Sequence, residues 1–179
     1  MMYKHDVLIS ERRIQRRIRI LAQQINSDYR DEKIDVVCIL KGGLFFAADL
    51  SRSLTVPLQL HFIQASSYGE GAESSGTIRI HYSSIPEGLS GHHILLVEDI
   101  VDTGITLDYL LRHLSGPGPR SLRTCVLLSK PSRRRLEVSL DYVGFEIPDE
   151  FVIGYGLDYR EFGRNLRYIA VLDRAEYEK

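Results

Sequence analysis

Apolar residues recur every three or four positions between residues 11 and 30, where Ile14, Ile18, Leu21 and Ile25 mark one stripe. That spacing predicts an amphipathic helix with Ser10 as its N-cap. Residues 34–40, IDVVCIL, are continuously apolar and rich in β-branched side chains, as in a strand covered on both faces. A Lys-Gly-Gly break follows, and residues 44–54 read as a helix. Residues 57–65 and 77–82 alternate like half-buried strands. Between them, residues 66–76 are eleven polar, Gly/Ser-rich positions without periodicity, which predicts a long loop. Residues 92–97, HHILLV, form a further buried strand. A helix over 106–114 carries Leu107, Leu110, Leu111 and Leu114 on one side and ends at the GPGP of 116–119. Residues 122–129 read as a strand, and short β-like pieces occupy 136–147, 151–156 and 167–172.

Strands alternating with helices predict an α/β fold, a mostly parallel central sheet flanked by helices. The late short strands predict a small appended hood lobe. The 179 residues fit one domain spanning 1–179, with no repeat or dividing linker. Hydrophobic residues make up 44% and charged residues 26%, the balance of a soluble globular protein. The formal net charge of −1 gives no general attraction to nucleic acid or membranes. No apolar run approaches the ~20 residues that span a bilayer, and the first ten residues lack a signal-peptide core. Cys38 and Cys125 each lie in a β-like run and are expected to be reduced core residues, which fits a cytoplasmic protein. The six histidines form no metal set. His92 and His93 are adjacent, so a strand points them to opposite faces.

In sheets of this kind ligands bind beyond the carboxyl ends of the strands. Two segments fall there: the Lys-Gly-Gly of 41–43, and residues 97–106, VEDIVDTGIT. In the second, Glu98, Asp99 and Asp102 precede a small, hydroxyl-bearing turn that opens a helix. Gly104 permits close backbone approach, and the amides of a helix start with the hydroxyls of Thr103 and Thr106 make an anion cradle. The P-loop and dinucleotide fingerprints are both absent. A ligand with two ends accounts for the acids: a phosphate in the cradle, with Glu98 and Asp99 accepting from a sugar diol and helping to hold magnesium. Asp102 is then free for proton transfer.

VEDIVDTGITL resembles the signature of the type I phosphoribosyltransferases, which use 5-phosphoribosyl-1-pyrophosphate (PRPP). LKGG, the SY of the polar loop, LLSKPSRRR, VGFEIPDEFVIGYGLDY and Arg164 are similar to the hypoxanthine-guanine branch of that family. The resemblance covers roughly residues 34–172. It implies purine salvage: transfer of phosphoribosyl from PRPP to hypoxanthine, guanine or both, with magnesium as cofactor and a homodimer or homotetramer as the assembly.

The same resemblance assigns residues. Glu98 and Asp99 would hold the ribose hydroxyls, directly or through magnesium, and Asp102 would manage the proton on the purine's imidazole-ring nitrogen. Thr103, Gly104, Ile105 and Thr106 would hold the 5′-phosphate, Ile105 by its amide. Lys41, Gly42 and Arg164 would meet the pyrophosphate, and the family often has a cis-type peptide before this lysine. Lys130 would donate to the purine's 6-oxo group, Phe151 would stack on the base and Val152 would offer its backbone to the base edge. Asp158 would complete the purine end of the site and hold a second magnesium. Ser67 and Tyr68 would open a lid over the reacting centre.

Plainer readings stand beside these. Acids decorate many helix N-termini, Phe151 and Val152 suit a core, and the polar loop suits an ordinary surface. Arg133–Arg135 could face the pyrophosphate, a subunit or solvent. The five arginines of residues 11–19 suit a solvated helix face, or the nucleic-acid surface of a PRPP-sensing regulator. Preference among hypoxanthine, guanine, xanthine and pyrimidines is set by backbone groups that the letters do not display.

Overall fold

The structure is a computed structural model. It describes residues 3–68, 77–86, 88–116 and 118–177, and the side chains of residues 66–68 and 77 lie outside the described set. The elements run β1 (His5–Ile9), α1 (Glu11–Asp28), β2 (Ile34–Leu40), α2 (Leu44–Ser53), β3 (Leu58–Tyr68), β4 (Thr77–Ser83), β5 (His93–Val101) and α3 (Ile105–Ser115). They continue with β6 (Ser121–Ser129), a 3-10 turn at Pro131–Arg133, β7 (Tyr142–Glu146), β8 (Val152–Ile153), β9 (Ile169–Leu172) and α4 (Arg174–Tyr177).

The main sheet has the order β4-β3-β2-β5-β6-β7. All its neighbours are parallel except the β3–β4 pair. The continuous apolar runs explain why β2, β5 and β6 lie inside: period-2 alternation sends each strand's side chains to both covered faces. Val36, Cys38, Leu95, Val97, Cys125 and Leu127 face one layer with Ile14, Ile18, Leu21 and Ile25 of α1 and Phe46 and Leu50 of α2. Val37, Ile39, Ile94, Leu96 and Val126 face the other, with Leu107, Leu110 and Leu114 of α3. The expected α1 stripe is fully buried. Ser10 sits at the N-cap with extended backbone, its carbonyl accepting from Arg13 and Ile14, but its side chain makes no capping bond.

The hood is a three-stranded sheet, β1-β9-β8, antiparallel throughout. It joins the two ends of the chain. Three expectations change. His5–Ile9 is a strand, although its local pattern predicts none. Residues 136–141 are not strand, although Leu136, Val138 and Leu140 alternate: the amides of Arg135 and Leu136 bond to Thr103 instead of to a neighbouring strand. The polar loop also starts later than predicted. Ser67 and Tyr68 belong to β3 and pair with Ile78 and Thr77 of β4, so they form a sheet arm rather than a loop. The remainder of the expected lid, residues 69–76, lies outside the described residues. Among the described residues no helix is long and apolar enough to cross a membrane.

Candidate active site

The chemistry-bearing residues gather at the carboxyl ends of β2, β5 and β6, with the segment after β8 reaching across from the hood. Glu98 and Asp99 end the buried core of β5, before Val101 and the turn into α3. Glu98 is 8% exposed, and one of its carboxylate oxygens is buried without a hydrogen-bond partner. Burial, with Asp99 beside it, pushes the Glu98 carboxyl well above the usual range, and the Arg134 guanidinium offsets part of this. Desolvation pushes Asp99 up to about 6. The amides of Asp99 and Ile100 and the Arg164 guanidinium oppose that rise, and the charge on Asp158 adds to it.

Two adjacent acids, Glu98 buried with an orphaned oxygen and Asp99 partly buried, suit hydroxyl donors or a cation. Among the described residues no three His, Cys, Asp or Glu side chains form a metal-binding group. Magnesium fits this donor set, since it is commonly held by one or two carboxylates with water and substrate oxygens completing the shell. Asp158 is differently placed. One of its oxygens pairs with Arg164 Nη2 at 2.7 Å and the other accepts from the Glu161 amide at 2.8 Å. A cation there would share oxygens already engaged.

Gly42 explains the bareness of the Lys-Gly-Gly turn. A Cβ at this position would lie 1.8 Å from Asp99 Oδ2, so the carboxylate rests directly against the glycine. The Leu40–Lys41 peptide is cis. Lys41 Nζ lies 2.9 Å from Glu161 Oε2, and Arg164 Nη1 donates to the Gly156 carbonyl at 2.8 Å. Thus Lys41, Gly42, Asp99, Asp158, Glu161 and Arg164 form one continuous charged wall.

On the other side of Asp99 the chain turns at Gly104, whose φ of 85° is left-handed and favours glycine. A Cβ there would meet the Leu136 carbonyl at 2.6 Å. Thr103 Oγ accepts from the Ile105 amide, and Ile105 and Thr106 open α3. The first amides of a helix lack intrahelical acceptors, so this turn offers donors to an anion. The carbonyls of the same loop are taken up from behind. Lys130 N donates to Val101 O, and Arg135 N and Leu136 N to Thr103 O. Arg134 donates to Asp102 O and Val101 O, and to Ser129 Oγ at 2.9 Å.

Asp102 is half-buried, and its carboxylate accepts from Arg133 Nε at 3.2 Å. Arg133 also lies 3.7 Å from Asp149. Lys130 is 7% exposed, and its Nζ is 3.9 Å from the same Asp149, a loose pairing that leaves it able to donate elsewhere. Phe151 is partly exposed, stacked on Tyr177 at 5.1 Å between centroids and edge-on to Tyr159. Val152 is buried, as the plainer reading held. Its backbone is another matter. The Leu172 amide donates to Phe151 O, and β8 pairs Val152 with Val171 antiparallel. Antiparallel alternation therefore directs the Val152 N–H and C=O away from β9, towards the open edge.

A family model described as a phosphoribosyl transferase domain matches residues 8–160. The chain belongs to the phosphoribosyltransferase family. Among curated proteins, this phosphoribosyltransferase is 46% identical over 173 residues to the hypoxanthine phosphoribosyltransferase of Haemophilus influenzae, covering 94% of this chain and 96% of that one. It is 43% identical to the hypoxanthine-guanine phosphoribosyltransferase of Bacillus subtilis, covering 99% of each. Among solved structures, a hypoxanthine phosphoribosyltransferase from Staphylococcus aureus superposes with a TM-score of 0.92 at 39% identity, over 97% of this chain and 94% of that one.

Within this phosphoribosyltransferase, the structure draws most of the residues singled out from the sequence into two groups. Lys41, Gly42, Asp99, Asp158 and Arg164 form one, while Asp102, Lys130 and the 103–106 loop form the other. Phe151 and Val152 follow Asp149 on the hood. Ser67 and Tyr68 stand apart on the β3–β4 arm. Of the open arginines, Arg133 and Arg134 brace the Asp102 loop. Arg17 of α1 turns inward to the Gly144 and Val143 carbonyls, and Arg13 lies over the Phe145 ring. Two of the five α1 arginines thus tie that helix to β7. The sequence reading left Arg134 open among Arg133–Arg135 and passed over Asp149 and Glu161. Glu161 sits inside a polar run where nothing local marks it, whereas Arg134 falls within the quoted LLSKPSRRR motif and Asp149 within VGFEIPDEFVIGYGLDY. A cavity of ≈ 730 Å³ lies at the opposite, amino end of the strands. It is lined by residues paired within the protein, including Asp35 with His92 and Glu32 with Arg120, and takes no part in this site.

Proposed function

We infer that this protein transfers the 5-phosphoribosyl group of PRPP to a 6-oxopurine, hypoxanthine or guanine, giving the nucleotide and pyrophosphate. The single observation that carries this reading is the β5–α3 junction: an acid pair of one buried and one partly buried carboxylate, then a half-buried aspartate, then a glycine-turned helix start whose carbonyls are held from behind. That order suits a phosphorylated sugar with a free diol.

In this reading the amides of 103–106 and the hydroxyls of Thr103 and Thr106 hold the 5′-phosphate, and Glu98 and Asp99 accept from the ribose hydroxyls. Lys41, Arg164 and the backbone of Gly42 hold the pyrophosphate. Magnesium, held by Glu98 and Asp99 with a second ion at Asp158, would neutralise the leaving group. Phe151 stacks on the base, while the Val152 backbone meets its edge. Lys130 donates to the 6-oxo group, and three donors with no acceptor reject the amino group of adenine. As the C1–oxygen bond to pyrophosphate breaks, the imidazole-ring nitrogen bonds to C1 and Asp102 takes the proton from the base. Ser67 and Tyr68 end the β3 side of an arm that would cover the reacting centre and exclude water.

We also propose that the chain acts as one domain in a homodimer or homotetramer in the cytoplasm. The exposed Leu44, Phe45, Leu60 and Tyr82 offer apolar surface for a second copy, and the two cysteines are free and buried. Sedimentation checks the assembly. A side-by-side turnover panel with hypoxanthine, guanine, xanthine, adenine and uracil tests the base assignment. The 6-oxopurines should be used and adenine refused. Preferential use of adenine or uracil would overturn the Lys130 role. Salt-sensitive RNA binding with no turnover on any base would favour the regulator.

A further inference from the structure

Glu161 stands in the wall assigned above to pyrophosphate, and no role has been given to it. A single carboxylate oxygen, Oε2, lies 2.9 Å from Lys41 Nζ and 3.5 Å from Arg164 Nη2. These are the two side-chain cations of that wall. We propose that Glu161 is an internal stand-in for the pyrophosphate group, competing with PRPP and with product pyrophosphate for Lys41 and Arg164. The inference rests on the pyrophosphate assignment and deepens it.

Two further features support this role. The first is the turn that presents Glu161. Arg160 and Glu161 have φ of 51° and 68°, a left-handed pair that side-chain-bearing residues seldom adopt. The turn is held by reciprocal backbone bonds between Tyr159 and Phe162 at 2.9 and 3.0 Å, and by Asp158 accepting from the Glu161 amide. Backbone fixed in this way determines where the Glu161 side chain starts. The second is the asymmetry of the contacts. Arg164 is anchored elsewhere, by Asp158 at 2.7 Å and the Gly156 carbonyl at 2.8 Å, and its side chain is 23% exposed. The Glu161 side chain is 65% exposed, and among the described residues it pairs with these two cations. A diphosphate entering the wall therefore displaces Glu161 into water and leaves Arg164 in place. Glu161 weakens diphosphate binding without obstructing the 5′-phosphate loop, so it penalises pyrophosphate and PRPP but not a nucleoside 5′-monophosphate.

The test is titration calorimetry of the full chain with inorganic pyrophosphate and, separately, IMP, both with magnesium at fixed ionic strength. Glu161→Gln should tighten pyrophosphate about two- to five-fold, the worth of an exposed ion pair of ordinary strength, and leave IMP unchanged. Glu161→Ala, which cannot rebuild a hydrogen bond to Lys41, should do the same. In a Lys41→Gln background the gain from Glu161→Gln should shrink, because the shorter of its two ion pairs is already broken and only the longer one to Arg164 remains. Unchanged or weaker pyrophosphate binding in both Glu161 variants would overturn the proposal, as would equal tightening of IMP. Lys41→Gln alone separates the two levels. If it leaves pyrophosphate affinity intact, the pyrophosphate assignment itself fails; if it weakens pyrophosphate while the Glu161 variants do not tighten it, only the role of Glu161 fails.

Discussion

Asp99→Asn should make the protein more stable and less active, and the stability gain should depend on pH. The Asp99 carboxyl is raised from an ordinary value of 3.8 to about 6, chiefly by desolvation. A raised acid binds its proton more tightly in the folded state. Below the unfolded value both states are protonated and the group costs nothing. Between 3.8 and about 6 the folded state holds the extra proton, so stability falls as pH rises, and above about 6 the whole penalty is present. At ~1.4 kcal/mol per pKa unit the ceiling is about 3 kcal/mol. Relaxation and partial solvation reduce what asparagine recovers to about 1–2 kcal/mol, because its amide oxygen keeps one acceptor where the carboxylate had two. Urea unfolding of both proteins at pH 4, 6 and 8, with chelator present, measures this directly. The midpoints should coincide near pH 4 and separate by pH 8 with the variant higher. A pH-independent gap, or a variant less stable at pH 8, would refute the desolvation argument. Magnesium should narrow the gap by stabilising the wild type more than the variant.

Gly42→Ala places a methyl 1.8 Å from Asp99 Oδ2. Steady-state kinetics should show a loss of about 10²-fold in kcat/KM for PRPP, the usual cost of an ångström-scale misplacement, with unfolding showing about 1–3 kcal/mol of overpacking cost. Asp102→Asn should lower kcat by about 10²–10⁴-fold while PRPP binding, followed by calorimetry, stays within a few-fold of wild type. Collapse of PRPP binding with surviving turnover at saturation would remove Asp102 from the proton role.

The main sheet was legible because β2, β5 and β6 are continuous apolar runs, and α1 because Ile14, Ile18, Leu21 and Ile25 keep one period. The hood was only half legible. His5–Ile9 becomes a strand by pairing with Ile169–Leu172 at the far end of the chain, and no local pattern encodes a partner that distant. The reverse error at 136–141 has the same root. Val138 and Leu140 do pack against the α3 layer, so burial alternates as in a strand, but the flanking amides satisfy the Thr103 carbonyl. At the site, Glu98, Asp99, Asp102 and Gly104 are contiguous and readable as one string. Arg134 and Glu161 are not, because their meaning comes from what they touch across 33 and 120 positions of chain.

The most direct measurement supplies PRPP, magnesium and hypoxanthine and follows nucleotide and pyrophosphate together. One IMP and one pyrophosphate should appear for each PRPP consumed, with no ribose 5-phosphate released when base is saturating. Consumption of PRPP without nucleotide, or no consumption with any 6-oxopurine, would contradict the account.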